Sequence, residues 1–217
     1  MDLSTYLREM TDRHQGILST EEQHILSEGI ICGAGAGGVG GWTYLALARL
    51  GCSQFRIADP GTFDASNANR QAGCMVDTVG ENKAETVAQE IQRINPSSKI
   101  ITYPEGLTEK NIPSFLDGGS IVVDGLDLYE LEIKQYLHDL AREYQLPVVS
   151  CPVLGFGAAL ALFHPIRSPS FKEYFGPIPK KSNEKEYNKY IRMFATGFFV
   201  CRLFKPALIS SPFTVPG

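Results

Sequence analysis

The sequence predicts an α/β fold, a Rossmann-like and mostly parallel sheet with helices on both faces and extra C-terminal strands running antiparallel. Three observations predict it. Short apolar runs alternate with segments of helical periodicity across residues 30–150. A glycine-rich run, Gly33-Ala34-Gly35-Ala36-Gly37-Gly38-Val39-Gly40-Gly41, joins the first apolar run to a long helix. An acidic residue, Asp59, closes the next apolar run. Such alternation gives parallel strands covered on both faces, with ligands bound outside the strand C-termini.

Each element has a local reason. Ser19-Thr20-Glu21-Glu22 has the form of a capping box, so a short helix runs to about Ser27. Ile30, Ile31 and Cys32 enter the glycines as a buried strand. Val39 to Leu50 is apolar and alanine-rich, a helix packed closely on the sheet and stopped by Gly51. Gln54 to Ala58 is the second strand, with Asp59 at its end, and a loop runs from Pro60 to Thr78. Apolar positions Ala84, Val87, Ala88, Ile91 and Ile94 mark a helix from about Asn82, ended by Asn95-Pro96. Lys99 to Tyr103 is the third strand, followed by a weak helix around Glu109 to Leu116. Ser120 to Asp124 is the fourth strand, Tyr129 to Tyr144 a helix, and Pro147 to Ser150 the fifth strand.

Beyond Cys151 the periodicity fades. Gly155 to Phe163 reads as one or two further strands, Pro165 to Pro179 as irregular, and Lys180 to Tyr190 as charged and solvated. The aromatics from Ile191 onward follow no clean period. The expected organisation is therefore one domain over residues 1–164, with an N-terminal helical segment, and an irregular extension over 165–217. That extension packs on the same domain or on a partner subunit.

Composition narrows the function classes. A chain of 217 residues with 43% hydrophobic content supports one sizeable core. A net charge of −4 without a basic cluster argues against a nucleic-acid surface as the main activity. No apolar run reaches the length of a membrane span, and the N-terminus lacks a signal-peptide pattern. The five cysteines, at 32, 52, 74, 151 and 201, form no C-x-x-C pair, which favours a reducing cytoplasm and gives no zinc-ligand pattern.

The chemistry-bearing residues follow the strands. Glycines let a backbone approach a pyrophosphate, and the next helix offers unpaired N–H groups and a favourable dipole. Gly35, Gly37 and Gly40 satisfy G-x-G-x-x-G, with Gly38 between them, while Gly33-x-Gly35 opens an overlapping register. A tight strand-to-helix junction without ligand is the alternative. Asp59 is placed to accept from ribose hydroxyls, in an ATP site or an NAD site alike. Arg70 and Lys83 discriminate, because displacement at an α-phosphorus needs fixed cations and hydride transfer does not. Arginine offers a planar fork and lysine a point charge. In Asp124-Gly125-Leu126-Asp127, Asp127 is the better placed to hold magnesium, although it would also cap the next helix.

As an ordered set these motifs resemble the ubiquitin-activating-enzyme-like superfamily, whose bacterial members are the ThiF and MoeB adenylyltransferases. The residues are Gly35 to Gly41, Asp59, Asn67-Ala68-Asn69-Arg70-Gln71, Lys83 within Val79-Gly80-Glu81-Asn82-Lys83-Ala84, Ile94-Asn95-Pro96 and Asp124-Gly125-Leu126-Asp127. The likeness covers about residues 13–164, and Asn67 to Gln71 is its most specific part. It implies an enzyme that uses ATP and magnesium on a Rossmann-like sheet, as a homodimer, to adenylylate a carboxylate. That carboxylate is commonly the C-terminus of a ubiquitin-like or sulfur-carrier protein, and in some relatives it is tRNA-borne. By position Asp59 would hold the ribose, Arg70 and Lys83 the phosphates, and Asp127 the magnesium. Asn67 would order the phosphate loop, and Asn69 and Gln71 complete the nucleotide-binding segment.

The sequence departs from that pattern in places. Leu128 stands where asparagine often follows the magnesium aspartate, and Arg13 is the nearest counterpart of an arginine lent across the dimer. For a persulfide or thioester cysteine there are Cys151 and Cys201, and Cys151 reads rather as a small buried residue. Phe171, Tyr174 and Phe175 match a subgroup whose C-terminal region is longer, which leaves a truncated or a degenerate member among the readings. Two other readings stand beside adenylylation: a nicotinamide- or flavin-dependent oxidoreductase, and a nucleotide-binding but inactive partner of an activating enzyme.

Overall fold

The computed structural model describes residues 2–154, 157–179 and 183–198. Two helices, α1 (Leu3–Met10) and α2 (Thr20–Glu28), precede the sheet. Asp2 caps α1, and the Ser19/Glu22 capping box of α2 is formed in both directions. The sequence reading missed α1 as an element.

The sheet begins with β1 (Ile30–Ala34), α3 (Gly38–Arg49) and β2 (Gln54–Ala58). It continues through α4 (Lys83–Ile94), β3 (Lys99–Tyr103), α5 (Ile112–Leu116) and β4 (Ile121–Asp124). Then come α6 (Leu131–Glu143), β5 (Val148–Ser150), a hairpin of β6 (Val153–Leu154) and β7 (Gly157–Ala158), and β8 (Ala161–Phe163). Strand order is β3-β2-β1-β4-β5-β8, parallel throughout except for β8, which runs antiparallel to β5. The predicted mostly parallel sheet with an antiparallel C-terminal addition is thus observed. The hairpin, however, forms a separate two-stranded sheet.

Successive residues of a strand face opposite sides, so the sheet carries two cores. Cys32, Ala34 and Val122 pack with Phe115, Leu131, Leu137 and Ala141 on one side. Ile31, Phe55, Ile57 and Val123 pack with Tyr44, Ala48, Val87 and Ile91 on the other. Helices therefore cover both faces.

The segment beyond residue 164 is more regular than expected. It contains α7 (Phe171–Phe175), with a capping box between Ser170 and Glu173, and α8 (Glu184–Phe198). Phe171, Phe175, Tyr187, Tyr190 and Ile191 join the same buried cluster as Leu137 and Val148. Lys180 to Tyr190 was expected to be solvated, yet Tyr187, Tyr190 and Ile191 recur at helical spacing and bury one face of α8. The stretch from 199 on, including Cys201, lies outside the described residues.

Candidate active site

The strand order reverses direction between β1 and β4, the point at which α/β sheets open a crevice. A cleft of about 660 Å³ lies there, bordered by the C-terminal ends of β1, β2, β4 and β5. Its floor is the glycine turn. Gly35 has φ +91°, a left-handed conformation, and a Cβ there would lie 2.5 Å from the Gly125 carbonyl oxygen. Gly35 therefore makes the first turn, which the sequence left open between two registers. A Cβ on Gly40 would collide with the Gly35 carbonyl, so that glycine serves the close approach of α3 to the turn. Gly37 and Gly38 differ: the protein leaves ordinary room for a Cβ at both, and both line the cleft. Gly37 caps α3 without a side-chain bond, so among the described residues the first-turn N–H groups have no side-chain acceptor.

Asp59 closes one side. Its Oδ2 accepts from Ala36 N–H at 2.7 Å and its Oδ1 from Gly61 N–H at 2.8 Å. These bonds lock the carboxylate between the glycine turn and the Pro60–Gly61 segment. The start of α4 is pinned to the same segment. Lys83 N–H donates to the Gly61 carbonyl at 2.9 Å, and Asn82 Nδ2 donates to the Asp59 carbonyl at 3.1 Å. Asn82 also caps α4 by accepting from Glu85 N–H. Lys83, the first helical residue, is thereby delivered half-buried into the cleft.

Arg70 arrives from the long loop. Its carbonyl accepts from Trp42 Nε1 at 3.0 Å, and its Nη1 donates to the Ser66 carbonyl at 3.1 Å and to Asn69 Oδ1 at 3.0 Å. Among the described residues neither Arg70 nor Lys83 is ion-paired with a carboxylate, and both line the cleft. Gln71 lines it as well, and its buried Oε1 has no hydrogen-bond partner among the described residues. Asn67 and Asn69 do not line the cleft. Asn67 is buried in the Asp64–Asn67 turn, accepting from Asp64 N–H at 3.2 Å, and Asn69 steadies Arg70.

Asp127 lines the same cleft, exposed, with Oδ1 accepting from Tyr129 N–H at 3.3 Å. It is not a helix cap, because α6 starts at Leu131 after Glu130. Asp124 is the opposite case. It is buried and bonded to Lys134 Nζ at 2.6 Å, to His138 Nε2 at 2.9 Å and to Ser150 Oγ at 2.9 Å. Burial alone would raise its pKa. The Lys134 charge and the His138 contact outweigh that and hold the carboxyl well below the usual range.

Sequence reasoning missed Trp42, Lys134, His138 and Ser150. One signal was available: Lys134 and His138 fall on the buried stripe of α6 beside Leu131, Leu137 and Ala141. Cys151 was expected to be buried, but it is half-buried and lines the cleft. By contrast, burial pushes the thiols of Cys32 and Cys52 up to about 11. Arg13 is exposed in a short turn, Asp12–His14, and does not line the cleft.

A parallel sheet with a glycine turn at its switch point and unpaired cations beside it defines a Rossmann-type nucleotide-binding domain. Within that class the chain belongs to the ThiF family, whose family model matches residues 11–201. It is 32% identical over 127 residues to the tRNA threonylcarbamoyladenosine dehydratase of Escherichia coli, covering 58% of this chain and 47% of the relative. It is 27% identical over 176 residues to the sulfur carrier protein adenylyltransferase of Thermus thermophilus, covering 81% of this chain and 62% of the relative. Among solved structures, the E. coli dehydratase TcdA in complex with ATP superposes with a TM-score of 0.64 at 28% identity. That superposition covers 69% of this chain and 61% of the other. The chain thus spans about half the length of the curated relatives it matches.

Proposed function

We propose that the chain binds ATP with magnesium in this cleft and adenylylates a carboxylate, releasing pyrophosphate. One observation carries the reading. Arg70 and Lys83, distant in sequence and unpaired among the described residues, line the same cleft as Asp59, Asp127 and the glycine turn. Unpaired cations held over a helix N-terminus suit a ligand of several negative charges.

In the proposed step a carboxylate oxygen bonds to the α-phosphorus. The bond from that phosphorus to the bridging oxygen breaks, and its electron pair leaves with pyrophosphate. Arg70 offers two N–H groups to phosphate oxygens, and Lys83 supplies a point charge. Gly37 and Gly38 let the phosphates reach the backbone N–H groups. Asp59 would accept from the ribose hydroxyls, and Gln71 lines the same cleft. The exposed Asp127 would hold magnesium. One carboxylate fits an ion that takes its other ligands from phosphates and water, and when bound it offsets phosphate charge.

The carboxylate class includes the C-terminus of a ubiquitin-like or sulfur-carrier protein and a tRNA-borne group; the name of the Thermus relative supports a sulfur carrier protein, and that of the E. coli relative a tRNA. A cytoplasmic homodimer completes the proposal. Among the described residues no helix is long and apolar enough to cross a membrane.

The test is exchange of labelled pyrophosphate into ATP with candidate carboxylates present. Arg70→Ala and Lys83→Ala, with fold retained, should each lower exchange about 10²–10³-fold. Exchange untouched by both would refute the reading. Tight NADH binding indifferent to both would favour an oxidoreductase. ATP binding without exchange for any carboxylate would favour an inactive partner.

A further inference from the structure

The buried cluster around Asp124 takes part in no step above. It nevertheless joins three walls of the cleft through one carboxylate. Asp124 Oδ1 accepts from Leu126 N–H at 3.2 Å, inside the turn that carries Asp127, and from Lys134 Nζ of α6 at 2.6 Å. Oδ2 accepts from Ser150 Oγ at the end of β5 at 2.9 Å and lies 2.9 Å from His138 Nε2. The turn itself rests on the glycine floor, since Gly125 N–H donates to the Ala34 carbonyl at 2.7 Å. Behind it the His138 ring lies 5.0 Å from Phe163 and 4.6 Å from Phe171, and Asp124, Lys134, His138 and Ser150 are all buried. Lys134 and Ser150 also line the cleft.

Asp127, in contrast, is exposed, and among the described residues its carboxylate accepts one hydrogen bond, from Tyr129 N–H. Little in its own contacts fixes its direction, so the backbone that presents it must. We propose that Lys134 and Ser150 are positioning residues for Asp127: acting through Asp124, they hold the Gly125–Asp127 turn against the glycine floor and set one orientation of the exposed carboxylate. Hydrogen bonds in so buried a cluster polarise and strengthen one another, which suits a rigid support. The inference rests on the adenylylation reading only in taking Asp127 as the group that acts on magnesium-bound ATP.

The test is calorimetric ATP affinity across a magnesium series, and with the metal chelated, in the unaltered chain and in variants. Ser150→Ala and Lys134→Met should raise the half-saturating magnesium concentration about tenfold, the usual effect of removing a support behind a ligand. They should weaken metal-free ATP far less than the magnesium-bound form, and in an Asp127→Asn background they should add nothing to the magnesium dependence. Equal weakening with and without magnesium, or effects that add to Asp127→Asn, would reduce both residues to general supports and overturn the proposal. If Lys134→Met does not fold, Ser150→Ala decides alone, because it removes a single hydroxyl. ATP affinity that ignores magnesium in the unaltered chain would also overturn it. A chain that binds ATP with magnesium yet exchanges no pyrophosphate would sink adenylylation and leave this readout standing.

Discussion

At the scale of the residue, the glycines of the turn do two different jobs, and substitution separates them. Gly35 sits at φ +91° with backbone 2.5 Å from where a Cβ would stand. Gly35→Ala should therefore destabilise the protein by about 1–3 kcal/mol, read as a lower melting temperature. At Gly38 an added Cβ would meet only Arg70 atoms, the nearest at 3.7 Å. The same change there should leave the melt nearly unmoved and weaken ATP binding, because the methyl group enters the space left for phosphate. Unchanged ATP affinity in Gly38→Ala would show that this glycine answers to packing alone.

At the scale of the element, α4 matters less as a helix than as a carrier of Lys83. Asn82 both caps it and ties it to the strand end that bears Asp59, through Nδ2 to the Asp59 carbonyl at 3.1 Å. Asn82→Ala loses cap and tie together and should cost about 1–2 kcal/mol in chemical denaturation. Asn82→Asp keeps an acceptor for Glu85 N–H but has no donor for the Asp59 carbonyl. It should retain helix stability better than the alanine variant while lowering pyrophosphate exchange. Equal exchange in Asn82→Asp and the unaltered chain would mean that the tie does not place Lys83.

At the scale of the whole molecule, a buried ion pair joins the sheet to α6, so global stability should follow its charge. The folded Asp124 carboxyl titrates below its unfolded counterpart, whose ordinary pKa is about 3.9. Its contribution is therefore present above that pH and lost as pH falls through the folded value, where the unfolded chain binds the extra proton first. Asp124→Asn leaves Lys134 buried without its anion and should cost about 3–5 kcal/mol near neutrality. The gap between variant and unaltered chain should narrow as pH drops below about 4. Denaturant titrations at a series of pH values measure it, and a gap independent of pH would refute the assignment.

Local chemistry was legible where it is local. The strand Gln54–Ala58 and the strand Lys99–Tyr103 were read at their observed bounds, because short apolar runs closed by turn residues have few other solutions. The Ser19/Glu22 capping box was equally plain. The Ser170/Glu173 box was there to be read too, but proline and aromatics around it masked the period of α7. Neither Lys134 nor His138 was singled out in the sequence, although both fall on the stripe of Leu131, Leu137 and Ala141. What buries them is a carboxylate ten and fourteen positions earlier and a hydroxyl on another strand. The sequence by itself determined the order of strands and helices between residues 30 and 150, the glycine turn and the residue types suited to phosphate. The tertiary structure alone decided which charges stay free in the cleft and which are neutralised beneath it, because burial and pairing depend on neighbours brought close by folding.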